Sequence, residues 1–191
     1  MKRCLAVLIG VLPAAASAQT LIELRGATTE YRFVDLNHTF RSGLFLDLVY
    51  VGAPGSNELY VGGGWSFKRE GVTLTPILYG VAAKENDERG VVLAGSVFID
   101  RGGWRVLGFG GHFFRASGDV PDYDFLDSLD VTRVIAKRWE LGVSAGFLHI
   151  GEDWNPLVGG TVKLNDSRGT TALAFRGGYR GELRLIRTLT F

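Results

Sequence analysis

The chain has 191 residues, of which 46% are hydrophobic, with 27 glycines, 5 prolines and a formal net charge of +1. That length suits one domain. The near-neutral balance and the lack of any basic run argue against a nucleic-acid partner. The glycines keep no G-x-y period, which excludes collagen, and no apolar run after the N-terminus approaches the ~20 residues of a transmembrane helix.

At the N-terminus, Lys2 and Arg3 precede the apolar stretch Cys4 to Leu12, and Ala16-Ser17-Ala18 has the small-x-small pattern of a cleavage site. This predicts a signal peptide over 1–18. Cys4 precedes the apolar core, too early for a lipoprotein cysteine. Cleavage after Ala18 would remove the only cysteine and so exclude disulfide and thiol chemistry. It would also take away Lys2 and Arg3, turning the formal charge from +1 to −1. Residues 19–41 contain a strand-like stretch, Leu21 to Val34. It either packs in a lumen or at a rim, or splits near Gly26 into two short strands.

From Ser42 onward the chain alternates with period 2, the mark of strands with one apolar face. Leu44, Leu46, Leu48 and Tyr50 begin the series, Leu59, Val61, Gly63, Trp65 and Phe67 continue it, and Leu183, Leu185, Leu189 and Phe191 end it. Ten crossings are expected, at 42–51, 58–68, 71–83, 90–100, 103–115, 128–137, 138–150, 157–165, 169–177 and 182–191. They are longer than the usual strand of about 5–6 residues. At ~3.3 Å per residue and a ~40° tilt, ten residues rise about 25 Å, the height of an outer-membrane apolar band. Tight connections such as Lys68 to Gly71 alternate with longer polar ones such as Gly52 to Glu58, Lys84 to Arg89 and Ala116 to Asp127. The expected fold is therefore all-β, an antiparallel up-and-down transmembrane β-barrel of about ten strands over 42–191, with eight or twelve as alternatives.

On this parity Asp47, Lys68, Asp100, His112, Asp130, Glu140, Lys163, Arg176 and Arg184 point into the lumen. Such mixed charges either pair to fill a narrow lumen or line a small polar pore. Trp65, Trp104 and Trp139 lie close to tight turns and, with Phe191, form a membrane girdle. Trp104 has the wrong parity relative to Leu107 and Phe109, so a bulge near Arg105 is expected. Arg133 and Arg187 fall on the apolar face and need to snorkel. The longest loop, Ala116 to Asp127, presents Tyr123 and Phe125 as a contact surface.

The leader, the alternation and the ending Leu183-Arg184-Leu185-Ile186-Arg187-Thr188-Leu189-Thr190-Phe191 together resemble bacterial outer-membrane β-barrel proteins. The resemblance implies residence in the outer membrane, outer-membrane lipids as neighbours, and recognition of the C-terminal strand by the barrel-assembly machinery. Arg187 departs from that terminal pattern. The resemblance is nearly silent on activity. A structural or binding protein, or a narrow pore, is the first reading. A lipid-modifying enzyme, such as a lipid A deacylase or acyltransferase, is the alternative. That alternative needs a serine, a histidine and an acid on the lipid-facing side. His112-Phe113-Phe114 lacks the serine two residues on, while His149 lies outward near Glu152 and Asp153. No catalytic set emerges, no cofactor is implied, and Asp119 to Asp124 lacks the length, glycine and closing glutamate of an EF-hand metal loop.

Overall fold

The computed structural model describes residues 19–83 and 88–191. The expected signal peptide, 1–18, lies outside the described residues. In chain order the strands are β1 (Gln19–Ala27), β2 (Arg32–Thr39), β3 (Leu44–Ala53), β4 (Ser56–Trp65), β5 (Phe67–Arg69), β6 (Val72–Ala83), β7 (Arg89–Arg101), β8 (Trp104–Ser117), β9 (Tyr123–Ala136), β10 (Trp139–Ile150), β11 (Asp153–Asp166), β12 (Gly169–Gly178) and β13 (Glu182–Thr190). Sequential strands pair antiparallel, and β1 pairs with β13, from Leu21 opposite Thr190 to Ala27 opposite Arg184. The sheet thereby closes on itself and leaves no edge.

β4 and β5 are two halves of one crossing. Both pair with β6 in a single register, Gly64 opposite Ile77 and Phe67 opposite Leu74. That register sets Pro76, which has no N–H to give, opposite Trp65. The Ser66 amide instead donates to Gly43 O at 2.7 Å. Among the described residues the barrel therefore has twelve crossings, an even number, so the expectation of ten is corrected to the alternative of twelve. The two extra crossings are β1 and β2, from residues 19–41. The turn between them, Thr28 to Tyr31, contains neither glycine nor proline. Glu30 takes the left-handed conformation at φ 62°, and its amide donates to Ala27 O at 3.1 Å. Gly26, near which a split into two strands is one of the expectations, lies at the end of β1, just before that reversal.

The expected contrast of short and long connections is also reduced. Strands run on through most of the polar stretches, so that β3 and β4 leave only Pro54 and Gly55 between them, and β10 and β11 only Gly151 and Glu152. The longest described connection, 118–122, lies at the end opposite Gln19 and Phe191. Short periplasmic turns and longer external loops are the general arrangement, so we refer to these as the outer and periplasmic ends.

Away from the register shifts, side chains alternate across the wall. On β6, Thr75, Ile77, Tyr79, Val81 and Ala83 are buried, while Leu74, Leu78 and Ala82 are exposed. The exposed set is apolar round most of the barrel: Leu46, Val61, Leu93, Val143, Val158, Phe175 and Leu185 all lie open on its outside. Soluble proteins rarely expose contiguous apolar area of this extent, and a lipid bilayer is the medium that covers it. The inside carries both an aromatic cluster and the buried charges.

The lumen as candidate functional site

The feature that shapes the lumen is a bulge on β9. Phe109 pairs with Ser128 and Gly110 with Leu126, leaving Asp127 over. An extra residue in one strand turns two successive side chains to one side, so Asp127 and Ser128 both face inward. Gly146 lies beside the bulge on β10. A Cβ there would come within 2.7 Å of Arg176 Nη1, so glycine admits the guanidinium. Arg176 Nη1 donates to Asp127 O at 2.7 Å, and Arg176 Nη2 pairs with Glu182 Oε1 at 2.7 Å.

The Asp127 carboxylate is held from across the lumen. Arg184 of β13 donates to Asp127 Oδ1 at 2.9 Å, and Arg25 of β1 pairs with both Asp127 and Glu23. Three strands, β10 to β12, separate β9 from β13 along the wall, so these arginines bridge the interior rather than neighbouring strands. Each guanidinium also lies over an aromatic ring, Arg25 at 4.1 Å from the Phe33 centroid and Arg184 at 4.9 Å from that of Tyr31. Burial, followed by the Asp127 charge, pushes the hydroxyl of the turn residue Tyr31 above the ordinary tyrosine range.

On the outer side of this bridge lies a cavity of about 400 Å³, walled by Tyr31, Phe33, Tyr60, Tyr79, Phe109 and Tyr123 among others. Tyr123 stacks on Phe113 at 4.8 Å and Phe125 packs on Phe109 at 5.8 Å. This corrects the placement of Tyr123 and Phe125, which belong to the inner face of β9 and not to an external loop. β8 runs to Ser117 and β9 begins at Tyr123, leaving 118–122 as the connection. At the outer mouth, burial and then the charge of Glu58 raise the Glu88 carboxyl above the ordinary glutamate range.

Of the charged residues expected inside, Asp47, Asp130, Glu140, Lys163, Arg176 and Arg184 are buried in the lumen. Lys163 pairs with Asp130 at 2.7 Å. Glu140 accepts from Thr132 Oγ1 at 2.7 Å and from Asn165 Nδ2 at 2.6 Å, and pairs with Arg105. Arg105 also reaches Asp100 at 2.9 Å. Asp47 accepts from the Tyr79 hydroxyl. Gly62 makes that possible, since a Cβ there would lie 2.4 Å from the Tyr79 ring. Lys68 has the inward parity but stands exposed at the periplasmic mouth. Sequence parity did not bring out Glu23, Arg25, Asp35, Asp127 or Glu182. The spacings Glu23-x-Arg25 and Glu182-x-Arg184 were the available signal, each placing an acid and a base on one face of a strand.

His112 is corrected. The β7–β8 register runs unbroken from Arg101 opposite Trp104 to Gly90 opposite Arg115, so no bulge occurs near Arg105. Trp104, Val106 and His112 face outward, and Leu107, Phe109 and Phe113 face inward. Both faces of β8 are apolar, which fixes the phase of the alternation without its sign. On the outside, His112 Nδ1 lies 2.7 Å from Asp124 Oδ1, and His149 Nδ1 lies 3.3 Å from Asp124 Oδ2. Phe114 and Trp154 flank the two imidazoles.

Trp65, Trp104, Trp139 and Phe191 are exposed on the outer surface near the periplasmic end. Arg133 lies 5.6 Å from the Trp104 ring. Arg187 faces outward and forks onto Asp166 at 2.7 and 3.2 Å, with Thr171 at 2.9 Å.

No protein-family model matches this sequence, and no curated protein is similar to it. Solved structures are similar in fold. A KdgM porin in complex with disordered oligogalacturonate superposes with a TM-score of 0.68 at 12% identity, covering 91% of this chain and 99% of that one. A second structure of KdgM porin gives 0.65 at 12% identity, with the same coverage of both chains. The COG4313 outer membrane channel from Pseudomonas putida F1 gives 0.58 at 11% identity, covering 95% and 97%. With its closed antiparallel sheet and apolar outer surface, the chain has the fold of these outer-membrane β-barrels.

Proposed function

We propose that this protein is a narrow outer-membrane channel for small polar solutes, with its aperture set by the Arg25–Asp127–Arg184 bridge. The bridge is the observation that carries the reading. It narrows the interior between an aromatic outer cavity and a polar periplasmic half, and a constriction of charged side chains is how pores select what passes. The fold neighbours named as a porin and a channel support the same class. The aromatic rings of the outer cavity offer stacking surfaces, and their hydroxyls offer donors, as a site for a polar organic solute requires. Planar-bilayer recording tests this. Wild-type protein that shows heat-modifiable migration should give small unit conductances. Arg184→Ser, which leaves Arg25 to neutralise Asp127, should enlarge them. Absence of conductance in both folded proteins would leave a structural or binding role.

A second reading, a lipid-modifying enzyme, is favoured by one observation: His112 and His149 share Asp124 on the lipid-facing side. A carboxylate that orients imidazoles is part of a general-base arrangement. An unchanged lipid A mass spectrum with and without the protein would remove it.

A further inference from the structure

We propose that the lumen passes cations in preference to anions, along the wall formed by β2, β3, β4 and β6. The inference rests on the channel reading above and names its solute class. Among the described residues between the two mouths, the inward-facing cations are already engaged. Arg25 holds Glu23 and Asp127, Arg105 holds Asp100 and Glu140, and Lys163 holds Asp130. Arg176 and Arg184 share Glu182, and Arg184 also holds Asp127.

The carboxylates of the opposite wall have no cationic partner among the described residues, and two of them, Asp35 and Asp47, hydrogen-bond each other. Asn37 Nδ2 donates to Asp35 Oδ1 at 3.1 Å. Tyr79 donates to Asp47, and Tyr60 and Ser56 donate to Glu58. Asp47 is only 7% exposed, and its Oδ1 accepts no hydrogen bond. It is a buried acceptor with unused capacity, turned into the lumen. Along β3 and β4, Val51 pairs with Glu58, Val49 with Tyr60 and Asp47 with Gly62. This inner face therefore carries acid at the outer mouth and again two inward positions further down. Glu88 adds a further carboxyl at that mouth. The other basic groups near the lumen, Arg41, Lys68, Arg115 and Arg180, sit at its mouths.

Among the described residues between the mouths, the carboxylates beyond those in ion pairs are thus Asp35 and Asp47, and both lie on one side. In a narrow space with low-dielectric walls, such a stripe concentrates counter-ions and repels ions of its own sign. Acidic linings are the usual basis of cation selectivity. A polyanion such as oligogalacturonate, seen with the KdgM porin, would meet repulsion along this wall. An ammonium-bearing or metal cation would not.

The test is the reversal potential in a potassium chloride gradient across a planar bilayer, on the full barrel checked by heat-modifiable migration. The wild type should give a cation-to-anion permeability ratio several-fold above one. Asp35→Asn with Asp47→Asn should bring it toward one. Glu58→Gln, a milder change at the mouth, should lower it part of the way and covers the case in which the double variant fails to fold. A conducting wild type with a ratio at or below one would overturn cation preference while leaving the channel standing. A ratio above one that no variant moves would overturn the assignment to this wall. Folded wild-type protein that never conducts would overturn the channel, and the selectivity with it.

Discussion

The two walls of the lumen solve the same problem in different ways. On the side of β9 and β11 to β13, and where Arg25 reaches across from β1, every buried cation meets a carboxylate, and Asp127 is shared by two of them. On the side of β2 to β6, Asp35, Asp47 and Glu58 are held by an amide and by hydroxyls, and Asp35 and Asp47 also by each other. A buried ion pair breaks even only when its members stay together. A carboxylate without a countercharge persists where water or a passing ion can reach it. The first wall is therefore held by ion pairs, and the second is the one that the proposed channel would use.

Breaking the structural wall should have the largest effect. Asp127→Ala leaves Arg25 and Arg184 without their common partner. Loss of one member of a buried pair costs about 3–5 kcal/mol, and urea unfolding in lipid vesicles should show a loss of that order. A change within error would mean that water already screens the bridge. The other wall can be disturbed through its packing. Gly62→Val would place a side chain 2.4 Å from the Tyr79 ring and 2.6 Å from Leu78 O. Overpacking of this kind costs about 1–3 kcal/mol, read in the same experiment, and should displace the hydroxyl that holds Asp47.

How much of this was legible in the sequence depended on the strand. On β6 and β7 one face is apolar or glycine and the other takes Thr75, Tyr79 or Ser96, and the spans were read to within a few residues. On β8, Trp104, Val106 and Phe114 alternate with Leu107, Phe109 and Phe113, so both faces read as membrane, and His112 was assigned to the wrong side. The turn at Glu30 carries no breaker residue, so the two crossings before Ser42 could be offered only as an alternative, through Gly26. The Asp127 bulge could not be read locally at all. It exists only as a mismatch between β9 and the register of both its neighbours. The lumenal charges on strands of clean alternation, such as Glu140 and Lys163, could be assigned a face. Asp127, which organises them, could not.

A smaller effect of opposite sign separates the walls further. Glu23 and Asp35 are direct cross-strand partners on β1 and β2, and like charges so placed destabilise a sheet by roughly 0.2–1 kcal/mol. Asp35→Asn should therefore raise stability by an amount within that range, where Asp127→Ala lowers it severalfold more. A clear loss on Asp35→Asn would mean that its charge is paired after all, and the contrast between the walls would fall.

The smallest effect should come from the ion pair outside the barrel. Arg187 stands on the lipid-facing surface yet reaches Asp166 beside the periplasmic turn, and both are open to solvent. An arginine on the lipid face is costly only near the bilayer midplane, and exposed pairs contribute little. Arg187→Gln should leave the urea midpoint unchanged, and repeating the measurement at high salt should not alter that result. A marked loss would place this part of β13 deeper in the bilayer than its proximity to Phe191 implies. The apolar band would then have to shift toward the periplasmic end, carrying Trp65, Trp104 and Trp139 into the hydrocarbon. Fluorescence of these tryptophans quenched by lipids brominated at known depth would decide between the two levels.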